Sequence, residues 1–287
     1  MRPLRLGVIS FVNTLPLIRG LEQSDPEGVE LVYDRPSGLA DRLRHGELDA
    51  ALIPSVEFFR GVGDKVIPGL CIASQGPVET VRFIARKPLC EIRRVLVDKG
   101  SRSSVAMLRL LLERTHDITP DFHIYDVSPE APFMTPAGEE GDAALIIGDL
   151  AMDLDPGPVE LDLDLGEWWQ KSFHRPFVYA LWAWRERKNE EIGPRLSTLL
   201  HDSFQLGLEE LDMIVEEAAI GHGWSEERVR HYLNESIHFD LDAEALDGLH
   251  LFHRLCIEDH LAPHRLSVVS TLTNLDSEAL ALAAPAP

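Results

Sequence analysis

Short apolar runs alternate with amphipathic stretches through the first ninety residues. Leu4 to Ser10, Val29 to Tyr33 and Asp49 to Pro54 have the β-branched and aliphatic content of buried strands. Thr14 to Leu21 and Ser37 to His45 lie between them with helical spacing. In the second, Leu39, Ala40 and Leu43 share a face, Ser37 is suited to an N-cap and Gly46 to a stop. This is the rhythm of a parallel sheet with helices on both faces. Val78 to Arg86 reads as a long strand closed by Pro88. A second, smaller unit follows: a strand at Val95 to Asp98, a helix at Ser104 to Arg114 whose Val105, Leu108, Leu111 and Leu112 make one apolar face, and strands at His123 to Val127 and Asp142 to Ile147. Pro176 to Arg185 is strand-like again and is expected to return the chain to the first half. The expected division is one lobe of residues 1–87 and 177–287 and another of 88–176, with two crossings as a hinge. Beyond Ile192 the pattern predicts helices at Arg195 to Leu206, Leu208 to Ile220, Ser225 to Glu235 and Asp242 to His260, covering the first lobe. From Thr273 onward the chain thins to Ala, Leu and Pro, and a mobile end of little consequence is expected.

One five-residue string occurs twice, as Asp49 to Ile53 and as Asp142 to Ile146. Each copy breaks straight afterwards into a turn-prone step, at Pro54 and Ser55 or at Gly148 and Asp149. Two similar half-structures are therefore expected. A strand that feeds a helix presents free N–H groups and the positive helix end at its carboxyl edge, where anions are held. Two such edges facing each other make a cleft.

Composition narrows the partners. At 287 residues and 45% hydrophobic the chain can build one large or two moderate cores, and no stretch approaches the roughly 18 apolar residues of a membrane span. The opening residues enter a strand pattern that does not read as a secretory signal, so a cytoplasmic protein is expected. Cys71, Cys90 and Cys256 are widely spaced and read as free thiols. A net charge of −21 argues against nucleic acid and anionic membranes, yet admits a small anion received by local dipoles. The GxG at Gly61 to Gly63 has Val66 where a third glycine belongs, and no phosphate-binding GxxxxGK[ST] is present. His250, His253 and Cys256 have helical spacing, but Leu249, Phe252 and Cys256 form the expected buried stripe with the histidines as a polar flank, so no metal and no cofactor is expected. Trp168, Trp169, Trp182 and Trp184 are assigned mainly to packing.

The chemistry is expected where these elements end. Ser10, Asn13 and Thr14 follow the first strand, and Ser37, Ser55, Ser103 and Ser104 occupy equivalent strand-to-helix steps. Asn13 reads equally as a cap of its helix or a ligand contact, and for each of the four serines a cap is the first reading. Convergence favours the ligand: four such steps opening on one cleft give a ring of donors suited to carboxylates.

Several blocks then carry a resemblance. SFVNTLPL at Ser10 to Leu17, PSGLADRLRHGELDAALIPSVEF at Pro36 to Phe58, LCIASQGPVETV at Leu70 to Val81, SRSSVAMLRLLL at Ser101 to Leu112, DAALIIGD at Asp142 to Asp149, and LDLGEWWQ with RPFVYALWAWR between Leu163 and Arg185 resemble, in order and spacing, the chorismate dehydratase family of the menaquinone pathway. The resemblance implies an α/β fold like the two-lobed type II periplasmic binding proteins, each lobe a mixed sheet flanked by helices, with a helical C-terminal part. It also implies loss of water from chorismate to give 3-(1-carboxyvinyloxy)benzoate, the opening step of the futalosine route, by a monomer or homodimer. Thr80 stands where the family commonly has Ser, and Asp98, Lys99 and Gly100 stand where it commonly has a Thr or Ser run. Asn13 and Thr80 are the expected catalytic residues, holding and polarising the reacting groups while the substrate's own side-chain carboxylate takes the proton. Ser10, Thr14, Ser37, Ser55, Gly76, Ser103, Ser104, Gly148 and Asp149 are the expected substrate contacts. Arg82 and Arg102 are the nearest cations, each equally readable as half of a surface ion pair. Glu57 and Glu79 lie in the motif blocks but are expected to point away. The rival readings are 1,4-dihydroxy-6-naphthoate synthase, which shares the fold, and a non-catalytic solute-binding protein for a small carboxylate.

Overall fold

The computed structural model describes residues 2–24, 28–128, 130–187 and 191–282. In chain order the first elements are β1 (Leu4–Val8), a 3₁₀ turn at Val12–Thr14, α1 (Leu15–Ser24), β2 (Val29–Tyr33), α2 (Pro36–Arg44), β3 (Ala50–Pro54), α3 (Ser55–Phe59) and β4 (Lys65–Ser74). There follow β5 (Val81–Ala85), β6 (Arg94–Asp98), α4 (Ser103–His116), β7 (Asp121–Tyr125), β8 (Ala143–Ile147), α5 (Asp149–Asp153), β9 (Leu161–Asp164), α6 (Leu165–Phe173) and β10 (Phe177–Trp184). The last part is α7 (Gly193–Glu209), α8 (Leu211–His222), α9 (Glu226–His231) running into a π-turn at Tyr232–Ser236, β11 (His238–Leu241), α10 (Ala243–Glu258) and α11 (Leu266–Leu282).

The strands form two mixed sheets, a six-stranded one in the order β11-β4-β10-β3-β1-β2 and a five-stranded one in the order β7-β6-β8-β5-β9. The repeated string occupies equivalent places in both. Ala50 of β3 pairs in parallel with Leu6 of β1, and Ala143 of β8 pairs in parallel with Val95 of β6. The aspartate opening each copy has the same work. The Asp49 carboxylate accepts the Arg5 N–H at 2.9 Å, and the Asp142 carboxylate accepts the Arg93 and Arg94 N–H groups at 2.8 and 3.0 Å, so each anchors the start of the neighbouring strand. Burial opposes ionisation of both, but ion pairs with Arg187 and Lys87 and these backbone bonds hold each carboxyl below its ordinary range. The small residues of the repeat are needed too: a Cβ on Gly7 would lie 2.8 Å from the Ala51 Cβ.

Three expectations fail here. Val81–Ala85 does not join the first sheet; it is antiparallel to β8 and β9 in the second, so the chain crosses between Ser74 and Val81 rather than near residue 87. Apolar alternation could not show this, because a strand's composition does not name its partner. The stretch from Thr273 is not idle: it continues α11, which packs on α10 and β4, and Leu275 is buried, while 283–287 lie outside the described residues. His253 belongs to the buried stripe of α10, 4.7 Å from the Phe59 ring, rather than to a polar flank. Burial pushes its imidazole down to about 4, so it sits neutral in the core.

Candidate active site

The facing edges of the two sheets line a partly open cavity of about 80 Å³. The six-stranded side supplies Phe11, Asn13, Pro54 and Tyr179, the five-stranded side Thr80 and Gly148, and the entry to α4 supplies Gly100 to Ser104. Of the expected site residues, Asn13, Thr80, Ser103, Ser104 and Gly148 line this space together.

The others do not reach it. Ser10 is exposed. Thr14 is buried beneath Asn13 and donates to its Oδ1 at 3.2 Å. Ser37 is buried next to cavity-lining Pro36. Ser55 donates to the Val178 carbonyl at 2.7 Å and meets the Ser103 hydroxyl at 3.2 Å. Gly76 lies outside the lining. Asp149 sits behind the wall, accepting the Val12 N–H at 3.2 Å, with His222 Nε2 at 3.8 Å. Burial pushes Asp149 up to about 6, against the pull of the Val12 N–H and His222, and Asp153 adds to the rise.

None of the serines caps its helix. The N-cap positions of α2, α3 and α4 are Arg35, Pro54 and Arg102, none making a side-chain capping bond, so each hydroxyl falls one residue or more inside the helix. Freed from capping, Ser55 and Ser103 tie α3 to α4 across the two sheets, and the Val56 N–H also donates to Ser103 at 3.3 Å. At the entry to α4, the Ser101 hydroxyl is buried with no hydrogen-bond partner while its residue lines the cavity. The first N–H groups of a helix have no partner within it. That corner therefore presents donors without acceptors.

Asn13 and Thr80 are joined through a residue the periodicity did not single out. Asn13 Nδ2 donates to the Tyr232 hydroxyl at 3.0 Å, and that hydroxyl lies 3.0 Å from Thr80 Oγ1. Tyr232 is fully buried, which pushes its hydroxyl above its ordinary value despite those two bonds. Thr80 is presented by a strained corner. Glu79 has φ +63°, a left-handed conformation uncommon outside glycine. The half-buried Asp164 carboxylate holds the corner, accepting the Val78 and Glu79 N–H groups at 3.0 and 2.6 Å and capping α6 through the Glu167 N–H at 3.0 Å.

Charge is distributed in an unusual way for so acidic a chain. No Asp, Glu or His lies among the residues lining the cavity. Glu57, fully buried beside it, is matched by Arg44 at 2.6 Å, Arg60 at 2.8 Å and Arg102 at 3.1 Å. Glu79 accepts from Ser236 instead. Arg102 does line the cavity, and ion pairs with Asp41 and Glu57 hold it cationic against burial. Arg82 points elsewhere, bound to Asp162 and to the carbonyls of Ala151 and Leu154 at 2.7 and 2.8 Å. No tryptophan lines the space. Among the described residues no three or more His, Cys, Asp or Glu are grouped to hold a metal ion, and no helix is long and apolar enough to cross a membrane.

Two mixed sheets joined by two crossings, with a cavity at their facing edges, are the architecture of the periplasmic-binding-protein fold. Solved structures agree. A protein of Archaeoglobus fulgidus matches with TM-score 0.71 at 17% identity, over 90% of this chain and 98% of that one. The alkanesulfonate-binding protein of Xanthomonas axonopodis pv. citri, bound to MOPS, matches with TM-score 0.64 at 19% identity over 94% and 98%. The periplasmic aliphatic sulphonate binding protein of Escherichia coli matches with TM-score 0.61 at 16% identity over 96% and 99%. Within that fold the chain belongs to the menaquinone biosynthesis family, whose model matches residues 4–258. A chorismate dehydratase of Thermus thermophilus is 27% identical over 252 residues, 81% of this chain and 88% of that protein.

Proposed function

We propose that the protein is a chorismate dehydratase, a hydro-lyase that converts chorismate to 3-(1-carboxyvinyloxy)benzoate and water. One observation carries the reading: a cavity free of carboxylates and imidazoles, inside a chain of net charge −21, lined by the unmatched Ser101 hydroxyl and by Asn13 and Thr80, which Tyr232 joins from behind. Such a space suits a dianion and excludes a competing negative charge. It also leaves no lining side chain able to act as a base near neutral pH: Arg102 is held cationic, and burial pushes the Tyr179 hydroxyl well above its ordinary value.

The chemistry is consistent with that inventory. The hydrogen lost from the ether-bearing ring carbon is conjugated through a ring double bond to the ring carboxylate, so negative charge formed there spreads to the carboxylate oxygens. The α4 corner, with Ser101, Ser103, Ser104 and the positive helix end, is our assignment for that carboxylate. Because ether and hydroxyl are trans, the departing hydrogen and hydroxyl share a face. The substrate's enolpyruvyl carboxylate takes the proton and returns it to the hydroxyl on the same face, whose C–O bond breaks to release water, and the ring becomes aromatic. Asn13 and Thr80, which line the cavity, orient and polarise the reacting groups. A binding-protein fold divided into two lobes, with the crossings at 75–80 and 174–176, fits closure around the ligand. The reading places the protein at the opening of the futalosine route and in the cytoplasm, where chorismate is made.

Incubation of the purified protein with chorismate tests it. Growth of the aromatic ultraviolet absorbance, and recovery of 3-(1-carboxyvinyloxy)benzoate, are expected. Chorismate bound but recovered intact would mean a solute-binding protein, and chorismate neither bound nor consumed would remove the substrate assignment altogether.

A further inference from the structure

We propose that Tyr232 is a positioning residue that sets the direction of the hydrogen bonds between Asn13 and Thr80, so that the Thr80 hydroxyl acts as a donor into the cavity. The inference deepens the dehydratase reading and rests on it. The argument is an inventory of donors and acceptors. Asn13 Oδ1 is taken by the Thr14 hydroxyl at 3.2 Å, which turns the amide so that Nδ2 faces Tyr232 at 3.0 Å. An amide nitrogen only donates, so the phenol oxygen accepts there. The phenol's own hydrogen is then left with Thr80 Oγ1, at 3.0 Å, as its acceptor. Thr80 thereby accepts from Tyr232, and its hydrogen is directed to the Val78 carbonyl, a stretched contact at 3.3 Å, or to a ligand oxygen in the cavity that Thr80 lines. A long bond within the corner is readily exchanged for a shorter one to a leaving hydroxyl or a carboxylate.

Two further observations support this polarity. Tyr232 is fully buried and its phenol is held protonated, so it remains a donor across the working range. It also sits on a π-turn at Tyr232–Ser236, a local widening of the helix that recurs at functional sites, and the next ties in that turn hold the same corner, Ser236 donating to the Glu79 carboxylate at 2.5 Å. The turn thus grips residues 79 and 80 by two side chains. Tyr232 does not itself line the cavity, so it acts through Thr80 and Asn13.

The test is a cycle of Tyr232→Phe, Thr80→Ala and the double variant, with chorismate turnover, KM and unfolding measured for each. Tyr232→Phe is expected to lower kcat by about tenfold to a hundredfold, with KM changed less than about threefold, as befits loss of one oriented hydrogen bond. The double variant is expected to be no slower than Thr80→Ala alone, because the phenol has nothing left to orient. A Tyr232→Phe enzyme with wild-type kcat, or a double variant slowed by the product of the single losses, overturns the inference while leaving the dehydratase reading intact. Should Tyr232→Phe fail to fold, the wild-type pH profile decides: kcat is expected to stay level through about pH 9, and a decline centred below that means an ionising phenol and overturns it. If wild type leaves chorismate untouched, the dehydratase reading falls first and this inference falls with it.

Discussion

Asp149 is held behind the cavity wall with its charge poorly compensated, and Asp149→Asn measures the cost. Its carboxyl titrates near 3.8 in an exposed chain and is pushed up to about 6 here, by burial first. Well below pH 3.8 folded and unfolded states are both protonated, and the site is neutral with respect to stability. As pH rises the unfolded chain ionises first, so the folded state binds the extra proton and stability falls, until above about pH 7 both are ionised and the full penalty applies. The interval from 3.8 to about 6 corresponds to roughly 3 kcal/mol, about half of it present at pH 5. The carboxylate's side chain is only 13% exposed, so little screening discount applies. Val12 N–H reaches both carboxylate oxygens, at 3.2 and 3.3 Å, so the amide of Asn keeps one acceptor. Urea unfolding of both proteins at pH 5 and pH 8 is the assay. The variant is expected to be more stable at pH 8, and its advantage over wild type to grow by about 1–2 kcal/mol between the two pH values. An advantage that is constant or shrinks would mean that Asp149 is not a buried, under-compensated charge, with His222 carrying the pairing instead.

Three other outcomes follow from named contacts. Asn13→Ala and Thr80→Ala are each expected to lower kcat by about a hundredfold or more while shifting the urea midpoint little, since each removes a polarising group at the cavity; near-normal turnover in both would end their assignment. Gly148→Ala should cost about 1–3 kcal/mol in unfolding experiments and depress turnover, because Gly148 has φ +74° and a Cβ there would lie 2.8 Å from the cavity-lining Phe11 ring. Deleting residues 266–287 should destabilise the protein by roughly 5 kcal/mol, from the loss of buried Val268, Leu272 and Leu275, which a thermal melt would register.

The fold was legible where composition and local order suffice. A repeated string of small and aliphatic residues can be buried in only a few ways, and it marked the same strand of both sheets. Partner choice was less visible. β4 escaped the alternation because Pro68 and Gly69 interrupt it, and β5 looked the same whichever sheet it joined. At the cavity, the hydroxyls expected on strand-to-helix steps line the space at Ser103 and Ser104, while none of these serines caps its helix, because the helices open at or beside Pro36, Ser55 and Ser103. Tyr232 was hidden for a different reason. It lies 219 residues from Asn13 and 152 from Thr80, on what periodicity reads as the end of an ordinary helix, so only the folded chain brings the three together. Its one local trace is that a tyrosine, with a polar tip to satisfy, stands beside Leu233 on the inward side of that turn.

The bond from Asn13 to Thr80 by way of Tyr232 spans the gap between the sheets: Asn13 follows β1, Tyr232 precedes β11, and Thr80 precedes β5. Asn13 and Tyr232 flank strands of the six-stranded sheet and Thr80 a strand of the other, so the 3.0 Å contact between the two hydroxyls is the link of the trio that depends on how the sheets sit against each other.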